Sequence, residues 1–399
     1  MPTPPVVLSA VRTPVGRHGR SLSGCRPDDL LALVLGEAVS RSGVEPALVE
    51  EVMTGIVNAS GEAMGNVARY ASLLAGLPPS VAGVSMNRFC GSGLAAFNSV
   101  VHSIAAGSID VGVASGVETM SRSTWPILKP HGQKYVGPIQ ARDSMFSGAG
   151  GPQHPRLEAD GTMIEMPQGA QLIASELGID RASMDEFALR SHMRAAAAAD
   201  AGLFEDETVA VATGGGEHFR ADETIRASST AERLAALSPY DPLAPDITAG
   251  NASPVSDGAS ALVLASEGSI PDGVTPFARV IGTAVAAVEP ERFAIAPVPA
   301  IRKLLDRSGL EVSDIGLVEI NEAFAAQTIA CVDELGLDPE RVNVNGGALA
   351  LGHALGNSGT RLTVTLLHEM RRREVRYGIA SLCIAAGQGI ATLFERWDP

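Results

Sequence analysis

Asn87-Arg88-Phe89-Cys90-Gly91-Ser92-Gly93-Leu94-Ala95-Ala96-Phe97 is a glycine-rich elbow that drops into a helix. The apolar run Ala82–Met86 feeds it as a short strand, and the alanine-rich stretch beyond predicts a helix to about Ala106. Cys90 is expected in the first turn of that helix. The positive end of a helix macrodipole favours an anion, so a thiol there is expected to be biased toward thiolate and to act as a nucleophile. A lone cysteine is more often a buried core residue. The rest of the chain decides between the two.

Outward from the elbow, strands and helices alternate. Val6–Ala10 and Val49–Val57 predict strands, Asp28–Ser40 and Gly65–Ala75 predict helices, and Asp110–Ser115 predicts a strand ending in Gly116-Val117-Glu118-Thr119-Met120-Ser121. Such alternation implies an α/β layer structure with a mostly parallel sheet. From Arg122 to Gly250 the rhythm changes to loops such as Gly148–Pro152 and to helices at Ala170–Leu177 and Ser183–Ala201. A long excursion of this kind predicts an inserted lid subdomain. Asp257–Ala265 returns to strand.

A second copy of the pattern follows. Ser308-Gly309-Leu310-Glu311 and the strand Ile315–Ile320 echo Ser42-Gly43-Val44-Glu45 and its strand, 266 positions apart. The same offset carries Cys90 to Gly356, inside a second elbow, Asn345-Gly346-Gly347-Ala348-Leu349-Ala350-Leu351-Gly352-His353-Ala354-Leu355-Gly356. A helix (Thr360–Arg371) and strands at Gly378–Cys383 and Ile390–Phe394 complete the repeat. Two α/β units related by a pseudo-twofold axis would bring the Cys90 and His353 elbows together. Asn321 and Cys383 each end an apolar strand, where α/β folds place their sites. A thiol, an imidazole, a second thiol and an amide are the parts needed for acyl transfer through a thioester.

Composition narrows the partners. A net charge of −15 argues against nucleic acid and anionic membrane surfaces. The four cysteines, Cys25, Cys90, Cys331 and Cys383, lack disulfide-framework or metal-site spacing, so a reducing compartment and no metal are expected. With no signal peptide and no apolar run of membrane-spanning length in the sequence, a cytoplasmic location is expected.

Asn87–Leu94, Thr248-Ala249-Gly250-Asn251-Ala252-Ser253, Ser256-Asp257-Gly258-Ala259, Asn321-Glu322-Ala323-Phe324, Gly346–His353 and Cys383 resemble, in order, the signatures of the thiolase family. The resemblance implies a duplicated α/β/α/β/α fold, with residues 1–121 plus 252–270 as one half, 271–399 as the other, and 122–251 as an inserted loop domain. It implies thiolytic cleavage of a 3-ketoacyl-CoA to acetyl-CoA and a shortened acyl-CoA, or the reverse condensation. The alternatives are a biosynthetic acetoacetyl-CoA thiolase and a catalytically silent acyl-CoA-binding member of the fold. A decarboxylating β-ketoacyl synthase shares the fold but would not be expected to carry a second catalytic cysteine.

By resemblance, Cys90 takes the acyl group, His353 activates it, Cys383 moves the α-carbon proton, and Asn321 holds a water that, with His353, faces an enolate oxygen. The N–H groups of Cys90 and Ala385 would form a second oxyanion site. Coenzyme A would be a co-substrate, with no tightly bound cofactor, and would meet Ser253 and Ala249 along its pantetheine, Arg226 at its phosphates, and Met166 and Phe324. A homodimer or homotetramer is implied. The sequence departs from the family pattern at Ala385-Ala386-Gly387, where three glycines are usual, and at Glu165–Gln171, where a histidine-bearing loop is usual. The first departure predicts a loss of unusual backbone angles. The second predicts an acyl chain other than acetoacetyl, of medium, branched or ring-bearing form.

Overall fold

β1 (Val6–Arg12) is buried along its whole length, as an apolar run covered on both faces requires. It lies near the middle of a ten-stranded sheet path in the computed structural model, which describes residues 4–127, 141, 143, 144, 154, 156, 157, 164–214 and 216–398. The Gly148–Pro152 loop lies outside the described residues. The further strands are β2 (Gly16–Arg17), β3 (Glu51–Gly55), β4 (Ala82–Met86), β5 (Val111–Thr119), β6 (Val211–Ala212), β7 (His218–Phe219), β8 (Ser256–Ala265), β9 (Ala278–Ala287), β10 (Leu317–Ile320), β11 (Tyr377–Ile384) and β12 (Gln388–Arg396). The order is β10-β11-β12-β9-β1-β8-β5-β3-β4, with β2 on β8, while β6 and β7 form a separate ribbon.

That order is a palindrome of the repeat. β3 and β10, β5 and β11, and β8 and β12 take matching places on either side of the β1–β9 seam, where only Val6–Arg279 and Val7–Ala278 pair. The counterpart of β4 has shrunk to one bridge, Val318 to Val342. β9, whose place in the repeat is that of β1, went unread in the sequence.

The sheet is mixed, not mostly parallel. Only β3–β4, β3–β5 and β10–β11 run parallel. β8 runs antiparallel to both β1 and β5, and β12 to both β9 and β11. A strand covered on both faces shows the same unbroken apolar run in either direction, so composition does not reveal its sense. The long excursion after β5 frees β8 to return alongside it, pairing Thr119 with Asp257.

Helices form three layers about the sheets. α1 (Pro27–Ser42) and α2 (Val67–Leu74) cover the outer face of the first half. α3 (Ser92–Ala105) and the helix Leu355–Arg372 lie between the halves, and the helix Pro297–Ser308 covers the outer face of the second. α1 begins with Asp28 and Asp29, which suit its positive end, and stops at Gly43, whose φ of 72° is left-handed. In the middle layer, fully buried Phe97 packs on Phe394 at 5.6 Å. Truncating such a ring to alanine costs about 3–5 kcal/mol.

The inserted segment is fastened to β1 by buried charge. Arg12 meets Glu207 at 2.5 Å and Asp222 at 2.8 Å, with all three side chains nearly inaccessible. Burial acts against the guanidinium, but the two carboxylates hold it firmly protonated. Stranding one member of such a buried set costs about 3–5 kcal/mol.

Candidate active site

The helix after the elbow begins at Ser92 with Gly91 as its cap, so Cys90 stands just before it and not in its first turn. Phe89 takes the left-handed φ of 46°, a strained setting for a bulky residue. Ser92 holds it there, its hydroxyl donating to the Phe89 carbonyl at 2.6 Å and accepting from the Arg88 N–H at 2.8 Å. The expected thiolate bias is also overturned. Burial pushes the Cys90 thiol up to about 11; the N–H groups of Ala385 and of Cys90 itself pull it down by less, and the Glu118 charge adds to the rise. The resting group is a neutral thiol whose proton must leave during attack.

His353 can take it. Gly352 adopts φ 94° and ψ 158°, a conformation open essentially to glycine, and a Cβ there would strike the Ser256 hydroxyl at 2.4 Å. The His353 N–H donates to the Pro254 carbonyl at 3.2 Å, seating the loop beside Val255. The Ser358 hydroxyl is 2.9 Å from the Ala354 carbonyl and 2.6 Å from His353 Nδ1, and we assign it as donor to the carbonyl and acceptor of the imidazole proton. Nε2 is therefore the bare nitrogen. Burial, then the nearby Arg361 charge, drives His353 down to about 3, so the ring is neutral and able to accept a proton.

Asn321 Nδ2 lies 3.5 Å from that Nε2, and its Oδ1 is buried with no protein partner among the described residues. Cys383, at the end of β11, is buried, and its thiol is pushed well above the ordinary range, first by burial and then by the charges of Cys90 and Cys331. The two thiols are thus electrostatic neighbours. Beyond Cys383, Ala386 takes φ 61° and Gly387 φ 74°. Contrary to expectation, the alanine occupies the left-handed region that glycine would fill, at a cost of about 1–2 kcal/mol, and Ala385 keeps its N–H on Cys90.

Cys90, His353 and Ala385 line one cleft with Ser253, Met166 and Phe324. Its remaining wall is largely apolar: Val57, Met120, Leu355 and Phe89, with Asn58, Ser144 and Tyr240 as polar members. Asn58 Nδ2 donates to the Ser144 hydroxyl at 3.0 Å. Asn321 and Cys383 stand behind this surface, against His353 and Cys90 respectively. Ala249 and Arg226 are exposed and are not on the lining. Burial and the like charge of neighbouring Arg17 both disfavour the Arg226 guanidinium charge, and the Arg226 backbone N–H donates to His192 Nδ1 at 3.2 Å.

The thiolase N-terminal domain matches residues 5–268 and the thiolase C-terminal domain matches residues 274–396. The chain belongs to the thiolase family. The beta-ketoadipyl-CoA thiolase of Pseudomonas aeruginosa is 44% identical over 98% of each chain. A Bacillus anthracis acetyl-CoA acetyltransferase structure is 40% identical, with a TM-score of 0.90 over 99% of each chain. The human mitochondrial 3-ketoacyl-CoA thiolase in complex with CoA is 36% identical, with a TM-score of 0.92 over 99% of this chain and 98% of that one. This thiolase is accordingly an acyltransferase of the fold that its duplication implied.

Ser358, Asn58 and Tyr240, like Ser144, belong to the thiolase site and went unread in the sequence. Ser358 sets the histidine tautomer, and its only signal is its place five residues after His353. Asn58 and Tyr240 face the cleft from segments remote in sequence, and nothing local marks them.

Proposed function

We propose that the cleft cleaves a 3-ketoacyl-CoA by thiolysis through an acyl-Cys90 thioester. The observation that carries this is the buried imidazole of His353 on the same cleft as the Cys90 thiol, with its Nδ1 held by Ser358 and its Nε2 left for the proton. Cys90 sulfur attacks the 3-keto carbon as its proton passes to Nε2. The C2–C3 bond breaks and its electron pair stays on the acetyl unit, which takes a proton from Cys383 and leaves as acetyl-CoA. Coenzyme A then gives its thiol proton to Cys383 and attacks the thioester; the departing Cys90 sulfur recovers its proton from His353. Water on the Asn321 Oδ1 would serve the enolate oxygen, and the Cys90 and Ala385 N–H groups the thioester oxygen. An oxyanion donor is worth about 3–4 kcal/mol in the barrier.

The same proposal extends to substrate. The apolar wall, the altered Glu165–Gln171 loop and the names of the relatives favour degradation of a 3-ketoacyl chain longer than acetoacetyl, with Asn58 and Ser144 offering hydrogen bonds to a polar chain such as 3-oxoadipyl. Thiolysis of acetoacetyl-, 3-oxoadipyl- and straight-chain 3-ketoacyl-CoAs tests this, with kcat/KM on a longer chain expected to exceed that on acetoacetyl-CoA by about tenfold or more, since a pocket methylene is worth about 1–3 kcal/mol. A preference for acetoacetyl-CoA would return the biosynthetic alternative. Ser253, Met166 and Phe324 border the path we assign to pantetheine, and Arg226 beside Arg17 the end we assign to the phosphates. Residues 122–251 act as the lid, since Met166, Tyr240 and Ser144 reach the cleft from it.

A second copy of the chain is the proposed partner. Tyr70, Leu73 and Leu74, on one face of α2, are 53%, 46% and 57% exposed, and Val84 is exposed on β4, the edge strand beside them. An open strand edge flanked by apolar side chains is a pairing surface. In sedimentation, the wild type is expected as a dimer or tetramer and the Leu74→Glu, Val84→Lys double variant as a smaller species; a monomeric wild type would rule the interface out. The four cysteines, all free thiols, favour the reducing cytoplasm as the location. Among the described residues, no helix is long and apolar enough to cross a membrane.

A further inference from the structure

Glu118 is an acid near the end of β5, a strand buried along its whole length; it is 1% exposed, and the proposed chemistry does not use it. Its two oxygens accept three backbone N–H bonds. Oε2 takes those of Val57 and Gly356, both at 2.9 Å, and Oε1 takes that of Asn58 at 3.1 Å. These three donors belong to different parts of the site. Val57 and Asn58 are cleft wall from the loop after β3. The Val57 carbonyl in turn accepts from Asn87 Nδ2 at 3.0 Å, and Asn87 Oδ1 accepts from the Phe89 N–H at 2.8 Å, so this arm reaches the elbow that presents Cys90.

Gly356 belongs to the other half. It stands in the first turn of the helix Leu355–Arg372, whose cap residue, Ala354, supplies no side-chain bond. The first N–H groups of a helix need acceptors, and a carboxylate also suits the positive end. Glu118 fills that need from across the seam. The contact is so close that a Cβ on Gly356 would lie 2.9 Å from Glu118 Oε2 and 2.6 Å from the Ile56 backbone. This arm continues to Leu355 on the cleft wall and to the His353 loop just before it.

We infer that Glu118 is a positioning residue which clamps the Cys90 elbow and the start of the His353 helix to one carboxylate, setting nucleophile and base across the seam between the halves. It touches no reacting atom and acts through Val57, Asn58 and Gly356. The inference rests on the proposed thiolytic function of the cleft. Misplacement of reacting groups by about 1 Å costs about 10²-fold.

The carboxylate is also poised to titrate. Burial pushes Glu118 up to about 7, against its three N–H donors, and Asp257 on β8 adds to the rise. Its charge in turn raises the Cys90 thiol. Protonation puts a hydrogen on one oxygen of a group that has only N–H donors around it, so the clamp weakens as pH falls through about 7.

Glu118→Gln tests the clamp, with wild-type thiolysis measured alongside; an inactive wild type would fail the proposed function and not this inference. The glutamine amide cannot accept where it replaces an oxygen. Expected results are a kcat/KM about 10²-fold lower, loss of the wild-type acid limb near pH 7, and faster alkylation of Cys90 by iodoacetamide, because a charge that raises the thiol has gone. A merely structural role would not raise thiol reactivity while lowering turnover. Glu118→Asp, which keeps the charge, is expected to recover part of the acid limb. Turnover within twofold of wild type in Glu118→Gln, or an unchanged acid limb, overturns the inference. If Glu118→Gln does not fold, hydrogen exchange of the Val57, Asn58 and Gly356 amides in the wild type decides. After correction for intrinsic rates, protection is expected to fall from pH 8 to pH 6, and equal protection overturns the inference.

Discussion

Cys90→Ala is expected to lower thiolysis by about 10⁴–10⁶-fold, the range seen when a covalent nucleophile is removed from a site that otherwise stays intact. Intact-mass measurement after mixing with an acyl-CoA should find the acyl adduct on the wild type and none on the variant. The wild-type thiol should also reveal how it is activated. A group held at about 11 is neutral through the physiological range, so its thiolate fraction grows about tenfold for each unit by which pH rises toward that value. Iodoacetamide alkylation of Cys90 should therefore climb steadily from pH 7 to pH 10. A plateau below pH 8 would show a preformed thiolate and contradict the burial that dominates the site. Activation then belongs to the reacting complex, where the bare Nε2 of His353 receives the proton as the sulfur attacks. Because His353 is neutral above about pH 3, it adds no acid limb of its own near neutrality.

Cys383→Ala should separate the two half-reactions. Cleavage of the C2–C3 bond leaves an electron pair on the acetyl unit, and the buried Cys383 thiol is the proton donor we assign to it. Its elevated position suits a group that holds its proton until a strong base appears. Thiolysis should fall by about 10³-fold or more, within the range for lost general acid catalysis and above its midpoint. Acyl transfer from an acyl-CoA to Cys90 breaks no carbon–carbon bond and uses Cys383 only to exchange a proton with the coenzyme A thiol, a far weaker base than a carbanion, so exchange of labelled coenzyme A into acyl-CoA should fall less, by roughly tenfold. Equal losses in both assays would show that Cys383 has no separate role in carbon–carbon cleavage and serves the thioester step alone or only supports Cys90.

The duplication was legible because both copies keep the order and spacing of their elements. The echo at Ser42 and Ser308 is enough to put the Cys90 and His353 elbows together from residue order alone, and both line the cleft. β9 escaped notice because it is only partly buried, with Gly282 and Thr283 breaking the apolar run that marks β1; its pairing with β12 and β1 defines it. Strand direction escaped for a related reason. Apolar runs record burial, and burial is the same for either sense.

Protonation states lay further from the sequence. The local pattern at Cys90 pointed to a helix dipole and a thiolate, whereas burial by residues from both halves outweighs the two N–H groups that face the sulfur. The histidine tautomer depends on a hydroxyl one turn away that is already committed to the Ala354 carbonyl. Glu118 stood in plain sight within Gly116–Ser121, but an acid in an apolar strand has no meaning until its donors are known, and one of them, Gly356, comes from the other half of the chain. By itself, the sequence determined the repeat, the candidate reactive side chains and the family, since these rest on residue types and their order. Only the tertiary structure decided strand sense, charge state and alignment across the seam, because each is set by groups that are distant in sequence and become neighbours on folding.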